Sequence, residues 1–148
     1  MAAERVLIVE DEFLVAALVE QTLLEAGYEV CGIAASEAEA LELGERFRPT
    51  LALVDIRLSP GDGRAVAREL SLRHDTLILF ASAHCDDLRR ELVMGTLTVC
   101  LDKPYDPRLV PAALAAAKEV ALGCPPPRLP PGLLYIGRAG RGPRDPGG

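Results

Sequence analysis

Lysine is scarce in this sequence: Lys103 and Lys118 stand against fourteen arginines. A lone lysine in the middle of a chain that otherwise uses arginine invites a chemical explanation. Long apolar runs are missing too. None approaches the roughly 20 residues that span a bilayer, so no membrane-crossing helix is expected within this sequence. The N-terminus, MAAERVLIVEDE, lacks the basic stretch and long apolar core of a signal peptide. The expectation is a cytoplasmic protein with no membrane partner. Positive charge is outweighed, 16 basic against 22 acidic residues, for a net charge of −6 and a pI near 4.9. A general electrostatic grip on nucleic acid is therefore disfavoured. Close cysteine pairs are absent as well, since Cys31, Cys85, Cys100 and Cys124 are far apart in sequence. That excludes the spacing of a zinc knuckle or a thioredoxin-like site. The cysteines read as reduced thiols acting as small hydrophobes. No internal repeat is visible.

What is present fits one soluble domain: 148 residues, 49% apolar and 26% charged, enough to bury a core. Composition splits the chain near residue 123. The segment 124–148 holds seven of the twelve prolines and six of the thirteen glycines. It reads as a linker or flexible tail. Within it Leu133-Leu134-Tyr135-Ile136 is either a chance apolar patch or a short segment that docks on the acidic body. Too little chain follows residue 123 for a DNA-reading domain with its own core, so direct DNA binding is not expected.

The body, 1–123, alternates between two periodicities. Apolar runs at Arg5–Val9, Tyr28–Ile33, Leu51–Val54, Thr76–Ala81 and Thr98–Leu101 read as five strands. Helical spacing occupies Phe13–Ala26, Ser36–Phe47, Arg64–Arg73, Asp86–Met94 and Asp106–Leu122. Ser36 with Glu39 forms a capping-box pattern, and Gly27 and Pro49 mark helix ends. The predicted fold is α/β, a doubly wound five-stranded parallel sheet with helices on both faces.

In such sheets the chemistry lies beyond the carboxyl ends of the strands. The first strand ends in Glu10-Asp11-Glu12, the third in Asp55, the fourth in Ser82 and the fifth leads into Lys103-Pro104. Clustered carboxylates repel by about 4 kcal/mol per pair at 4 Å and an effective dielectric near 20, so they ionise together only around a cation. Oxygen ligands with room for water suit Mg²⁺ better than zinc. A carboxylate beside that ion and a lysine is placed to attack a phosphoryl group.

VLIVEDE, LALVDIRLSPGDG, LILFASAH and VCLDKPYDP, in that order, resemble the receiver domain of two-component response regulators, over about residues 4–121. The resemblance implies that Asp55 accepts phosphate from a sensor histidine kinase or a phosphotransfer protein. It implies Mg²⁺ held by Glu10, Asp11, Asp55 and the backbone carbonyl of Arg57. Ser82, Ala83 and Lys103 would grip the phosphoryl oxygens, and Pro104 would follow a cis peptide bond. Such a protein catalyses only its own phosphorylation and dephosphorylation, and signals by protein contact or relay to a downstream target. Homodimerisation stays open. Glu12 reads as a helix-start acid outside the metal shell and His84 as a surface loop residue. Arg57 and His84 flank the pocket, where they would tune access of water to the acyl phosphate.

Three positions depart from the family pattern. Cys100 stands where an aromatic often precedes the lysine by three residues. It reads as a core residue, or as the mark of a specialised switch; under either reading the changes on phosphorylation are expected between His84 and Met94 rather than around Cys100. The interval from Ser82 to Lys103 is one residue short of the commonest spacing, and Pro111 falls inside the last predicted helix, implying a kink or a delayed start. Two other readings compete on function. One is a receiver-like adaptor that works without phosphorylation. The other is a Mg²⁺-dependent phosphohydrolase, disfavoured because the acidic motif DxD is absent from the first strand end.

Overall fold

The structure, a computed structural model, describes residues 4–58, 60–87 and 98–136. Five parallel strands and one antiparallel strand form a single sheet in the order β2-β1-β3-β4-β5-β6. They are β1 (Arg5–Val9), β2 (Glu29–Ala34), β3 (Leu51–Asp55), β4 (Leu77–Ser82), β5 (Thr98–Asp102) and β6 (Leu133–Ile136). The α-helices among the described residues are α1 (Phe13–Glu25), α2 (Glu37–Phe47), α3 (Gly63–His74) and α4 (Val110–Ala121).

The central strands are buried on both faces, which is why they read as unbroken apolar runs rather than alternating ones. Their residues still sort by parity. Val6, Ile8, Leu51, Leu53, Leu79 and Leu101 pack on one face with Ala16, Val19 and Leu23 of α1 and Ala113, Leu114 and Ala117 of α4. Leu7, Val9, Ala52 and Val54 pack on the other with Ala40 of α2 and Val66 and Leu70 of α3. The reversal of strand order between β1 and β3 opens a crevice at their carboxyl ends, where Glu10 and Asp55 emerge.

Local chemistry explains the helix boundaries. Ser36 Oγ accepts from the Glu39 N–H at 3.2 Å, and Glu39 reaches back to the N–H of Ala35 at 2.7 Å, one residue earlier than an ideal capping box. Asp62 caps α3 by accepting from the N–H of Arg64. Pro111 produces a delayed start: Asp106 accepts from the Arg108 N–H, Pro107–Leu109 forms a 3₁₀ turn, and α4 begins at Val110 with Pro111 in its first turn. There the missing N–H costs nothing.

Two expectations change. The sheet has six strands rather than five, because Leu133–Ile136 pairs antiparallel with Thr98–Leu101 along the edge of β5. Residues 124–136 are thus not a free tail, and Leu133 is buried at 6% exposure. A composition rich in Pro and Gly disfavours a core but does not prevent four apolar residues from completing an open edge. The cysteines change as well. Cys85 and Cys100 form a disulfide, while Cys31 and Cys124 are free. Spacing along the chain hid this pair, since β4 and β5 are neighbours and bring positions 15 residues apart to a Cα separation of 5.9 Å. Of the helix expected over Asp86–Met94, residues 88–94 lie outside the described residues, and Asp86 and Asp87 belong to a 3₁₀ turn, Cys85–Asp87.

Candidate phosphoryl-acceptor site

β1 delivers Glu10 to the crevice by a backbone hydrogen bond, its N–H donating to the carbonyl of Ala34. The side chain is 3% exposed and accepts from the N–H of Glu12 at 3.1 Å. Asp55 ends β3 at 5% exposure. Its Oδ1 accepts from the N–H of Arg57 at 3.1 Å and its Oδ2 from Lys103 Nζ at 2.9 Å. The same ammonium lies 3.7 Å from Glu10 Oε1. Gly63 fixes the far side of the acceptor, because a Cβ there would collide with the backbone oxygen of Asp55. Only glycine lets α3 start this close to the end of β3.

The carboxylates of Glu10, Asp11 and Asp55 each offer an oxygen, all within 4.8 Å of one another, with Asp11 exposed and the other two buried. Burial pushes the Glu10 carboxyl up from its ordinary 4.5 to about 7, and the neighbouring charge of Asp55 adds to this. Burial opposes the charged form of Lys103, yet its hydrogen bond to Asp55 and the charges of Glu10 and Asp55 outweigh it. The ammonium is therefore held more firmly than usual. Among the described residues, Lys103 is the cation paired with this cluster, in contact with two of its three acids. Hard oxygen donors from two strand ends, one of them open to water, fit a small divalent cation such as Mg²⁺.

Ser82 closes β4 at the same edge of the sheet. Its Oγ accepts from the N–H of His84 at 2.9 Å, and its carbonyl accepts from the N–H of Lys103, also at 2.9 Å. The Lys103–Pro104 peptide is cis. Ala83, Lys103 and Pro104 line a cleft of about 330 Å³ with Glu12, Val15 and Tyr105. Glu12 occupies the N-cap position of α1 without a side-chain capping bond, so it faces the cleft rather than the helix end. The side chains of Arg57 and His84 are exposed, and the N–H of each braces a site residue.

Sequence reading passed over Tyr105. Its buried hydroxyl has no hydrogen-bond partner among the described residues. Burial, and then the charges of Glu10, Asp55 and Glu12, push the phenol upward, keeping it a donor. The signal was a tyrosine two residues after the lysine.

Residues 6–115 match the response regulator receiver domain family. The transcriptional regulatory protein PdtaR of Mycobacterium tuberculosis is 34% identical over 111 residues, covering 73% of this chain and 54% of that protein. Sporulation initiation phosphotransferase F of Bacillus subtilis is 27% identical over 109 residues, 72% of this chain and 86% of that protein. Among solved structures, the receiver domain of Erythrobacter litoralis PhyR superposes with a TM-score of 0.69 at 28% identity, covering 80% of this chain and 92% of that one. This chain spans about half the length of PdtaR. With an acidic crevice at the β1–β3 switch point and a family match across most of its length, the chain belongs to the response regulator receiver domains.

Proposed function

We propose that this receiver takes a phosphoryl group onto Asp55 from a histidine kinase or a phosphotransfer protein and passes the signal on by protein contact or relay. The observation that carries the reading is the 2.9 Å contact of Lys103 Nζ with Asp55 Oδ2 inside a cluster of three carboxylates. An Asp55 oxygen attacks phosphorus as the bond from phosphorus to the donor imidazole nitrogen breaks, and the imidazole leaves with that electron pair. Lys103 then pairs with the phosphoryl oxygens and offsets the charge that builds on them. Ser82 donates its hydroxyl proton to one of those oxygens after releasing the His84 N–H. Glu10, Asp11, Asp55 and the carbonyl of Arg57 would hold Mg²⁺, which supplies further neutralisation of the transferring oxygens when bound. Water later attacks the acyl phosphate and returns the carboxylate, so the protein catalyses only its own phosphorylation and dephosphorylation. Donors of this kind work in the cytoplasm, and no described helix is long and apolar enough to cross a membrane.

The test is intact mass after incubation with acetyl phosphate and Mg²⁺. One phosphoryl group should add, and the adduct should vanish in Asp55→Asn and on chelation of the metal. An adduct that survives either change contradicts the assignment.

A further inference from the structure

Two cysteines unused by the phosphoryl chemistry lie behind the site. Cys85 sits in the 3₁₀ turn after Ser82-Ala83-His84, and Cys100 in the middle of β5. Their disulfide is buried at both ends, 1% and 0% exposed, and packs against Ile56, Phe80 and Leu134. Each cysteine is three residues from a site residue, Cys85 from Ser82 and Cys100 from Lys103. The turn that presents the Ser82 hydroxyl is therefore fastened at two points. At Ser82 the carbonyl is held by the N–H of Lys103, and at Cys85 the side chain is bonded to β5. In this arrangement the Ser82 hydroxyl is occupied by the N–H of His84.

The other two cysteines say what kind of bond this is. Cys31 and Cys124 are free, and Cys124 is exposed. An exposed free thiol in the same chain as a closed disulfide does not suit an oxidising compartment, where spare thiols are consumed. It suits a reducing one, in which a disulfide forms transiently and reports redox state.

We propose that Cys85 and Cys100 are a redox-active dithiol–disulfide pair, whose closed form holds the Ser82–Cys85 turn at rest and opposes the rearrangement that phosphorylated Asp55 requires. The inference rests on the phosphoryl chemistry proposed above. The pair closes by exchange with a small disulfide such as glutathione disulfide. In the dithiol form the turn is no longer bonded to β5, and its local opening brings the Cys85 thiolate to solvent. There it attacks a sulfur of glutathione disulfide, releasing one glutathione thiolate and leaving a mixed disulfide. The second cysteine thiolate attacks the mixed disulfide and releases the other. Two cysteine thiols lose two electrons, one disulfide gains them, and the two thiol protons end on the departing glutathiones. Opening is the reverse. Because both modifications act on one turn, their coupling is reciprocal: closure opposes phosphorylation, and a bound phosphoryl group favours the open dithiol.

The experiment uses the full chain with Cys31→Ser and Cys124→Ser, so that only the pair responds. The protein is equilibrated across ratios of glutathione to glutathione disulfide, alkylated and weighed intact. The titration is repeated with Mg²⁺ and saturating beryllofluoride, whose occupancy is read by fluorine NMR. The pair should pass from open to closed, with its midpoint moved at least about fivefold toward the oxidised buffer by the mimic. Acetyl phosphate should label the open form faster than the closed one, a difference that Cys85→Ser removes. A pair that stays open at every ratio overturns the inference, as does an unmoved midpoint with beryllofluoride demonstrably bound. Absence of both a bound fluoride signal and a phosphoryl adduct in the open form would instead sink the Asp55 reading, and the coupling with it.

Discussion

Glu10 is the residue at which the site's cost to the fold can be read. Its carboxyl is raised from 4.5 to about 7, so between those values the folded protein holds a proton that the unfolded chain has released. Stability then falls as pH rises through that window, by at most about 3 kcal/mol for a single group. Metal-free protein should melt at progressively lower temperature from pH 5 to about pH 7 and level off above that. Glu10→Gln should flatten that slope and raise the midpoint at pH 8, as followed by thermal melts in chelator. An unchanged slope in the variant would show that another group titrates. Mg²⁺ should reverse the trend, since it favours the ionised form. At this scale the sequence was informative where chemistry follows directly on an apolar run: Glu10, Asp11, Asp55, Ser82 and Lys103 all stand at strand ends. It was silent on Cys85 and Cys100, whose pairing needs the adjacency of β4 and β5, and on Tyr105, whose hydroxyl is notable only for its burial.

Among the elements, β6 was the hardest to foresee. Strands β1 to β5 were legible because covered parallel strands leave continuous apolar runs, and α2 because Ser36 and Glu39 announce its start. β6 is four residues in a Pro- and Gly-rich stretch, and its stability comes from what it pairs with rather than from its own pattern. It supplies Leu133 to the core, and the Gly132 carbonyl just before it accepts from the N–H of Asp102 at 2.8 Å. Burial of one leucine is worth about 2 kcal/mol, and the ladder adds to it. Removing residues 124–148 should therefore destabilise the protein by about 2–4 kcal/mol in denaturant titration. It should leave Asp55 able to accept phosphate, because none of the residues placed around the acceptor lies beyond Tyr105. Stability equal to that of the full chain would show that β6 contributes nothing to the sheet. A bare β5 edge should also make the truncated protein prone to associate.

For the molecule as a whole, the remaining question is where a phosphodonor protein meets it. α1 buries Ala16, Val19 and Leu23, yet its outer side is apolar too: Phe13 is 73% exposed, Leu14 75% and Leu18 53%. The first seven residues of α1, Phe13–Val19, are all apolar, and an apolar stretch so exposed is unusual at a surface and marks a contact. This one begins directly after Glu12, at the mouth of the cleft that Lys103 lines, so a protein seated on it would reach the acceptor. A histidine-bearing donor must bring its imidazole to Asp55, and among the described residues α1 offers an apolar footing at the mouth of that path. Replacing Phe13 and Leu14 by serine should slow phosphotransfer from a phosphorylated histidine donor by about tenfold, the loss expected when roughly 1.4 kcal/mol of interface contact is removed. Labelling by acetyl phosphate should be unchanged, because a small donor needs no footing and both side chains point to solvent. Equal loss with both donors would mean that the substitutions distort the pocket. Equal retention would place the docking face elsewhere on the molecule.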